Sequence, residues 1–220
     1  MALRKDIITS ILGILVFTLV CGILYPLVIT GVSQVAFPGN ANGQQVHVGG
    51  RLVGSELIGQ SFADPVVKHG KVVLDKNGNP VTVPDPRYFQ TRPSATVPSD
   101  NAAATTFSNL GPNSVATLQA LQANIAAYIQ LNRRYYPGHL TAATVPVDAA
   151  DTSASGIDPD ISVANAHIQA YRIAAIRHLP LPEVNRLIAT YTGGRGLGFS
   201  GEPTVNVLEL NLALNRVSGR

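Results

Sequence analysis

Charge is scarce in this chain. Only 13% of its 220 residues are Asp, Glu, Lys or Arg, about half the share of an ordinary soluble domain. The 16 basic and 13 acidic residues leave a net charge of +3. Apart from the pairs Arg4-Lys5 and Arg133-Arg134 the basic residues are scattered, so the sequence offers no clustered basic face to a nucleic acid. There is a single cysteine, Cys21, which excludes an intramolecular disulfide and a cysteine-cluster metal site. No G-x-x-x-x-G-K-[ST] occurs, so the chain has no phosphate-binding loop of that type. It also lacks the G-x-S-x-G elbow and the S-x-x-K pair of serine nucleophiles. The apolar share of 45% excludes a disordered chain. The 20 glycines and 15 prolines are spread out, which excludes a collagen-like repeat and points to a loop-rich domain.

What the chain does have is a long apolar run. After Asp6 the next charged residue is Arg51, and Ile7–Val32 is more than the about 20 apolar residues needed to cross a bilayer. The run is apolar on every face, which argues against a buried helix of a soluble protein. It is too long for a cleaved signal peptide, and cleavage after Ala36 would need a small residue where Gln34 stands. A lipoprotein signal would need small residues just before Cys21, where Val20 stands. Pro26 predicts a kink or the end of the regular helix, and Gly13, Cys21 and Gly22 would let a partner helix approach closely. Arg4 and Lys5 precede the run and the segment from Ser33 to Gly50 has no basic residue, which places the N-terminus in the cytoplasm and the bulk of the chain outside it.

The expected organisation is a cytoplasmic N-terminus (1–6), a transmembrane helix (7–35), a Gly- and Asn-rich linker (36–50) and one extracytoplasmic domain (51–220). The fold class is α+β: a single N-terminal transmembrane helix followed by a mixed, loop-rich domain. Residues 71–83 read as a hairpin, with Val72–Leu74 and Val81–Val83 as strands and Asn77-Gly78 as the tight turn. Residues 84–112 read as an extended loop. Three helices follow. The first is capped by Asn113 or Ser114 and carries Val115, Leu118, Leu121, Ile125 and Tyr128 at helical spacing, with Gln119, Gln122 and Gln130 outside. The second starts near Asp160 or Ser162, carries Ala164, Ile168, Tyr171 and Ala175 on one face, and ends at Arg177 and His178. The third, after Pro182, carries the stripe Val184, Leu187, Ile188, Tyr191 and stops at the glycine-rich Gly193–Gly201. The C-terminal VNVLELNLAL is ambiguous: Val205 and Val207 alternate like a strand, whereas Asn206-x-x-Glu209 resembles a capping box. A helix from Asn206 is the favoured reading.

Each chemical motif has a plainer explanation that fits better. Gly196–Gly201 matches G-x-G-x-x-G literally, but a dinucleotide site needs a strand before it and a helix opening within it. A polar Thr-Gly-Gly-Arg precedes it and Glu202-Pro203 follows, so it reads as a glycine-rich turn. His47, His69, His139, His167 and His178 form no H-x-x-x-H pair, and His167 and His178 lie about 16 Å apart along one helix, too far for one metal. Ser153 and Ser155 read as turn residues. Asp148, Asp151, Asp158 and Asp160 lack the calcium-loop pattern and read as caps and a solvated loop, the sharper alternative being a weak attraction for cations.

One set of motifs points further. In order, the chain has GSELIGQSF (Gly54–Phe62), YFQTRPSA (Tyr88–Ala95), SNLGPNS (Ser108–Ser114), TSASGIDPDIS (Thr152–Ser162) and GFSGEPTVNVLELNLAL (Gly198–Leu214). Behind a single N-terminal span, this series resembles the C subunit of the bacterial Kdp potassium-transporting P-type ATPase, the KdpC family, from anchor to C-terminus. Two features depart from it: residues of about 64–86 look like a hairpin insertion, and Asn42-Gly43-Gln44 stands where Asn-Gly-Ser is more usual. The resemblance implies a non-catalytic accessory subunit in the bacterial inner membrane. Its implied partners are a channel-like potassium-binding subunit, an ATP-hydrolysing P-type subunit, a small single-span subunit and the lipid bilayer, with no nucleic acid. Such subunits are described as stabilising the complex and promoting ATP binding by the catalytic subunit, so ATP is reached through that subunit and no cofactor is held firmly. Nucleotide contact would fall on Gln60, Ser153, Ser155 and Gly156. That role conflicts with the topology, since only about six residues face the cytoplasm. A stand-alone membrane-anchored extracytoplasmic binding module is the alternative.

Overall fold

A computed structural model describes residues 2–104, 106 and 109–219. It is α+β and divides into two compact units, one up to Val53 and one from Gly54 onward. The first unit is dominated by a helical run, Leu3–Ala36, long and apolar enough to cross a membrane and buried nowhere in the protein. It comprises helix α1 (Ala2–Leu19), a wide π-helical turn (Val20–Leu24) and helix α2 (Tyr25–Ala36). Pro26 was expected to kink or end the helix, but it sits in the first turn of α2. A proline there has no N–H to give and its ring crowds the carbonyl one turn back. The wide turn just before it takes up that crowding and lets the helix continue. A one-turn helix α3 (Pro38–Ala41) and strand β1 (Gln45–Val48), which pairs with β2 (Arg51–Ser55), occupy most of the segment read as a linker.

In the second unit the segment read as an insertion folds on itself. Strand β3 (Ala63–Pro65) pairs antiparallel with β6 (Thr82–Pro84), and β4 (Val67–Lys68) pairs with β5 (Lys71–Val72). The amide of Val66 donates to Val81 O, that of Val81 to Val73 O and that of Val73 to Val66 O, each at 2.8 Å. The three chain passes close a ring, which leaves no pass with a free edge at this level. The expected two-residue Asn-Gly turn is a three-residue loop. Asp75 N donates to Asn79 O (2.8 Å) and Gly78 N to Asp75 O (3.1 Å), with Gly78 at φ +83°. The Asp75 carboxylate accepts from Asn77 N and Asn79 N, which favours the bulged form of the hairpin over the tight one.

The core lies under the C-terminal half. Strand β7 (Asp160–Ser162) and strand β8 (Thr192–Gly193) flank β9 (Thr204–Asn206) in an antiparallel sheet, with Ile161 opposite Val205. Helix α6 (Val163–Arg177), helix α7 (Leu181–Thr190) and helix α8 (Val207–Val217) pack around it. Phe89, Ile161, Ile173, Val184, Ile188, Val205, Leu210 and Leu214 are almost wholly buried, each contributing about 1.5–3 kcal/mol. The C-terminal segment is strand and then helix, the change falling at Asn206, whose side chain accepts from Glu209 N at 3.1 Å. Ser162 caps α6 in the same way, accepting from Asn165 N at 3.1 Å.

Two helix faces differ from expectation. On α6, Ala164 and Ala175 are exposed, whereas Asn165, Gln169 and Arg172 are buried beside Ala166, Ala170 and Ile173. Gln169 and Arg172 meet polar backbone, and Asn165 meets the side chains of Tyr128 and Asp148. Helix α4 (Val115–Asn132) was expected to bury its apolar stripe, yet Val115 and Leu118 are exposed. It is held instead through Asn124, which donates to Ala150 O at the end of α5 (Val147–Ala150), and through Tyr128 and Asn132, which meet α6.

Candidate functional site

The motifs quoted from the sequence converge in the second unit. The GQSF, YFQTRPSA and SASGIDP segments have no regular structure of their own, and their polar atoms hold one another. Gly59 N donates to Ile157 O at 2.7 Å, and a Cβ at Gly59 would stand 2.7 Å from Asp158 O. Ser94 Oγ donates to Gly156 O at 2.5 Å. Arg92 pairs with Asp158 at 3.2 Å and donates to Thr152 O at 3.2 Å. Gly156 is held at φ +73°, and a Cβ there would meet Thr106 O at 2.5 Å. Only glycine fits that conformation and that gap together.

Of the residues proposed for nucleotide contact, Ser153, Ser155 and Gly156 lie together. Gly156 N donates to Ser153 Oγ at 2.8 Å, Ile157 N donates to Ser155 Oγ at 3.2 Å, and the two hydroxyls are 3.3 Å apart. Gln60 follows Gly59 and is exposed, and its side-chain oxygen lies against Gly54; no hydrogen bond joins it to Ser153, Ser155 or Gly156 among the described residues. Ser108 of SNLGPNS lies outside the described residues. Three of the four aspartates of the acidic stretch, Asp148, Asp158 and Asp160, hold groups of the domain itself. Asp148 accepts from Ser162 N, Ser162 Oγ and Asn165 Nδ2, and Asp160 accepts from Thr204 Oγ1. Among the described residues no three His, Cys, Asp or Glu side chains group to hold a metal. The glycine-rich motif forms a turn between β8 and β9.

Beside these loops lies a cleft of about 240 Å³, lined among others by Phe62, Gln90, Thr91, Arg92, Asp100 and Tyr128. Thr91 Oγ1 donates to Asp100 at 3.2 Å, but burial dominates and pushes the Asp100 carboxyl up to about 6. Burial also pushes the Tyr128 phenol well above its ordinary value.

Behind the cleft is a buried polar network that the sequence reading missed. Arg172 is fully buried. Its Nε donates to Asn132 Oδ1 (3.0 Å), its Nη1 to Pro86 O and to Tyr88 O (3.0 Å), and its Nη2 to Gln169 Oε1 (2.8 Å). Burial presses its guanidinium down to about 10. Gln169 also accepts from Gln90 N and donates to Gln90 O. Asn211 accepts from Phe89 N at 2.9 Å and donates to Phe89 O at 3.0 Å. The available signal was the spacing of Asn165, Gln169 and Arg172, one helical face of polar residues, which reads as a solvated face when nothing says what covers it. The network holds the backbone of Pro86, Tyr88, Phe89 and Gln90 from behind, so the start of the YFQTRPSA loop is tied to α6 and α8. Among the described residues Ser153 Oγ meets the amide of Gly156 and the hydroxyl of Ser155, and neither group is a base that could activate it.

Comparison with known proteins agrees with the architecture. The family model described as "KdpC: K+-transporting ATPase, c chain" matches residues 7–216. A potassium-transporting ATPase KdpC subunit from Methylococcus capsulatus is 44% identical over 207 residues, covering 94% of this chain and 95% of the relative. The Mycobacterium bovis protein of the same name is 41% identical over 98% of this chain and 100% of its own length. The one from Variovorax paradoxus is 45% identical over 88% of this chain and 87% of its own. A model match and relatives of this identity, each spanning nearly the whole length, leave one assignment: the chain belongs to the KdpC family, the c chain of K+-transporting ATPases.

Proposed function

We propose that this chain is a non-catalytic accessory subunit of an ATP-driven potassium uptake pump. It is anchored in the bacterial inner membrane by Leu3–Ala36, with its N-terminus cytoplasmic and its second unit outside. Family membership along nearly the full chain carries this reading. Two features support it. The motif loops spend their hydroxyls and carboxylates on one another, which suits a site that acts through shape. Helix α4 has no charged residue and exposes Val115 and Leu118, and interface cores are depleted in charge. In this reading the second unit stabilises the assembly by docking on the outer face of the potassium-binding subunit.

The test is co-purification through a C-terminal tag, combined with potassium-dependent ATP hydrolysis by the complex with and without residues 54–220. Large multi-span partners should come with the full chain, and deletion should weaken assembly or lower potassium affinity. Assembly, affinity and turnover all unchanged would refute the docking role. Promotion of ATP binding by the catalytic subunit, with Gln60 and the Ser153–Gly156 turn as the contacting groups, is the rival reading, because it requires the second unit to face the cytoplasm. Gln60→Ala should then raise the ATP concentration for half-maximal hydrolysis without changing assembly, and no change would remove that reading. Protease added outside spheroplasts should digest the second unit, and its protection would reverse the orientation.

A further inference from the structure

The glycine-rich turn between β8 and β9 holds an arrangement that the pump reading does not use. Gly196 N donates to Ser200 O and Ser200 N to Gly196 O, both at 2.8 Å, and Phe199 N donates to Gly196 O at 3.2 Å. Leu197 at φ +53° and Gly198 at φ +81° form the centre of the turn. Turns with two positive φ values favour Asn or Gly at the first of these positions. A bulky apolar residue there is a backbone outlier of the kind found where function requires it. Leu197 is 90% exposed and the neighbouring Phe199 75% exposed, so neither side chain stabilises the fold by burial.

We propose that the Leu197–Phe199 tip is a lipid-inserting finger that seats the second unit on the surface of the bilayer holding the chain's own anchor. Three observations select lipid. The amides of Gly198, Phe199 and Ser200 are paired with the carbonyls of Arg195 and Gly196, which spares hydrocarbon three of the tip's four backbone donors. The tip carries no net charge, because Arg195 and Glu202 at its base pair at 2.8 Å. The apolar phase is also always within reach. Residues 37–53 can extend at most about 60 Å, and a domain of this size has a radius of gyration of about 15 Å. Nothing stands within 4 Å of a Cβ added at Gly194, Gly198 or Gly201, so the finger is slim and unobstructed. The inference rests on the membrane-anchor reading of the first unit.

The chain contains no tryptophan, so Phe199→Trp gives the full-length protein a single reporter. It is reconstituted alone into phosphatidylcholine–phosphatidylglycerol vesicles, with or without lipids brominated on the acyl chain. Blue-shifted emission that falls by half or more with brominated lipid is the expected result, and Leu197→Trp should behave alike if the first variant misfolds. Adding Leu197→Gly to Phe199→Trp should markedly weaken the quenching. Water-exposed, unquenched emission overturns the proposal. Blue-shifted emission that bromine does not quench also overturns it, since the tip then sits in protein. Equal quenching of His139→Trp, at an exposed site elsewhere, would show indiscriminate contact and overturn it too. Flotation with the vesicles tests the anchor separately. A chain that fails to float refutes the anchor, and the finger with it; a chain that floats with a wet tip refutes the finger alone.

Discussion

Replacing Asn211 tests how the motif loop is held. Asn211 is 1% exposed, and its amide meets both polar groups of the Phe89 backbone, at 2.9 and 3.0 Å. Asn211→Ala leaves a buried N–H and a buried C=O without these partners, at about 1–3 kcal/mol each. Alanine suits the helix, which returns a few tenths of a kcal/mol, so the net loss is about 3 kcal/mol. For a chain of this size that lowers the melting temperature by about 6–12 °C. Asn211→Asp makes the contrast. The carboxylate still accepts from Phe89 N but faces Phe89 O with no proton to give, so at pH 7 it should destabilise more than alanine. Burial raises its folded pKa above the unfolded value, so the folded state binds the extra proton. The penalty is therefore relieved as pH falls through the folded pKa and returns as pH rises. The assay is thermal unfolding of the full chain in mild detergent, followed by circular dichroism at neutral and acidic pH. An alanine loss under about 1 kcal/mol, or an aspartate variant insensitive to pH, would refute the claim that this amide pair fixes the loop.

Gly156→Ala should cost about 1–3 kcal/mol from its positive φ and more from the Thr106 carbonyl, whereas Gly70→Ala, at φ +74° in open space, should cost only the strain; paired melting curves compare them. Asp100, with a folded pKa raised to about 6 from 3.8, favours the folded state below pH 3.8 and loses that stabilisation as pH rises through 6. Asp100→Asn should flatten that slope and raise stability at pH 7 by on the order of 2 kcal/mol, less whatever the Thr91 bond contributes, read from denaturant midpoints across the range. Ser153→Ala removes the acceptor of Gly156 N and should lower stability by about 1 kcal/mol while leaving the maximal rate of ATP hydrolysis by the complex unchanged; a large loss of rate in a folded variant would restore a catalytic role.

Much was legible in the residues because the cause is local. A helix long and apolar enough to cross a membrane follows from the absence of charge between Asp6 and Arg51, since length and apolarity are all that such a span requires. The stripe Val184, Leu187, Ile188, Tyr191 marks α7 because its partner is the core. Asn206 three residues before Glu209 marks the start of α8 because capping needs only that spacing. The motif series carried the family. Tertiary structure alone decided the rest. The buried faces of α6 and α4 depend on what packs against them, and periodicity cannot say that Gln169 and Arg172 meet the backbone of residues 86–90 and Asn165 the side chains of Tyr128 and Asp148, while Val115 and Leu118 stay exposed. The three-pass closure of residues 63–84 depends on Val66 reaching both Val73 and Val81, a pairing that neither strand states by itself. The SASG turn is fixed by Ser94, whose hydroxyl donates to Gly156 O, and by the amide of Thr106, which donates to Ser155 O, groups distant in sequence. Local propensity operates over a few bonds, whereas burying a polar group requires a partner whose position only the folded chain supplies.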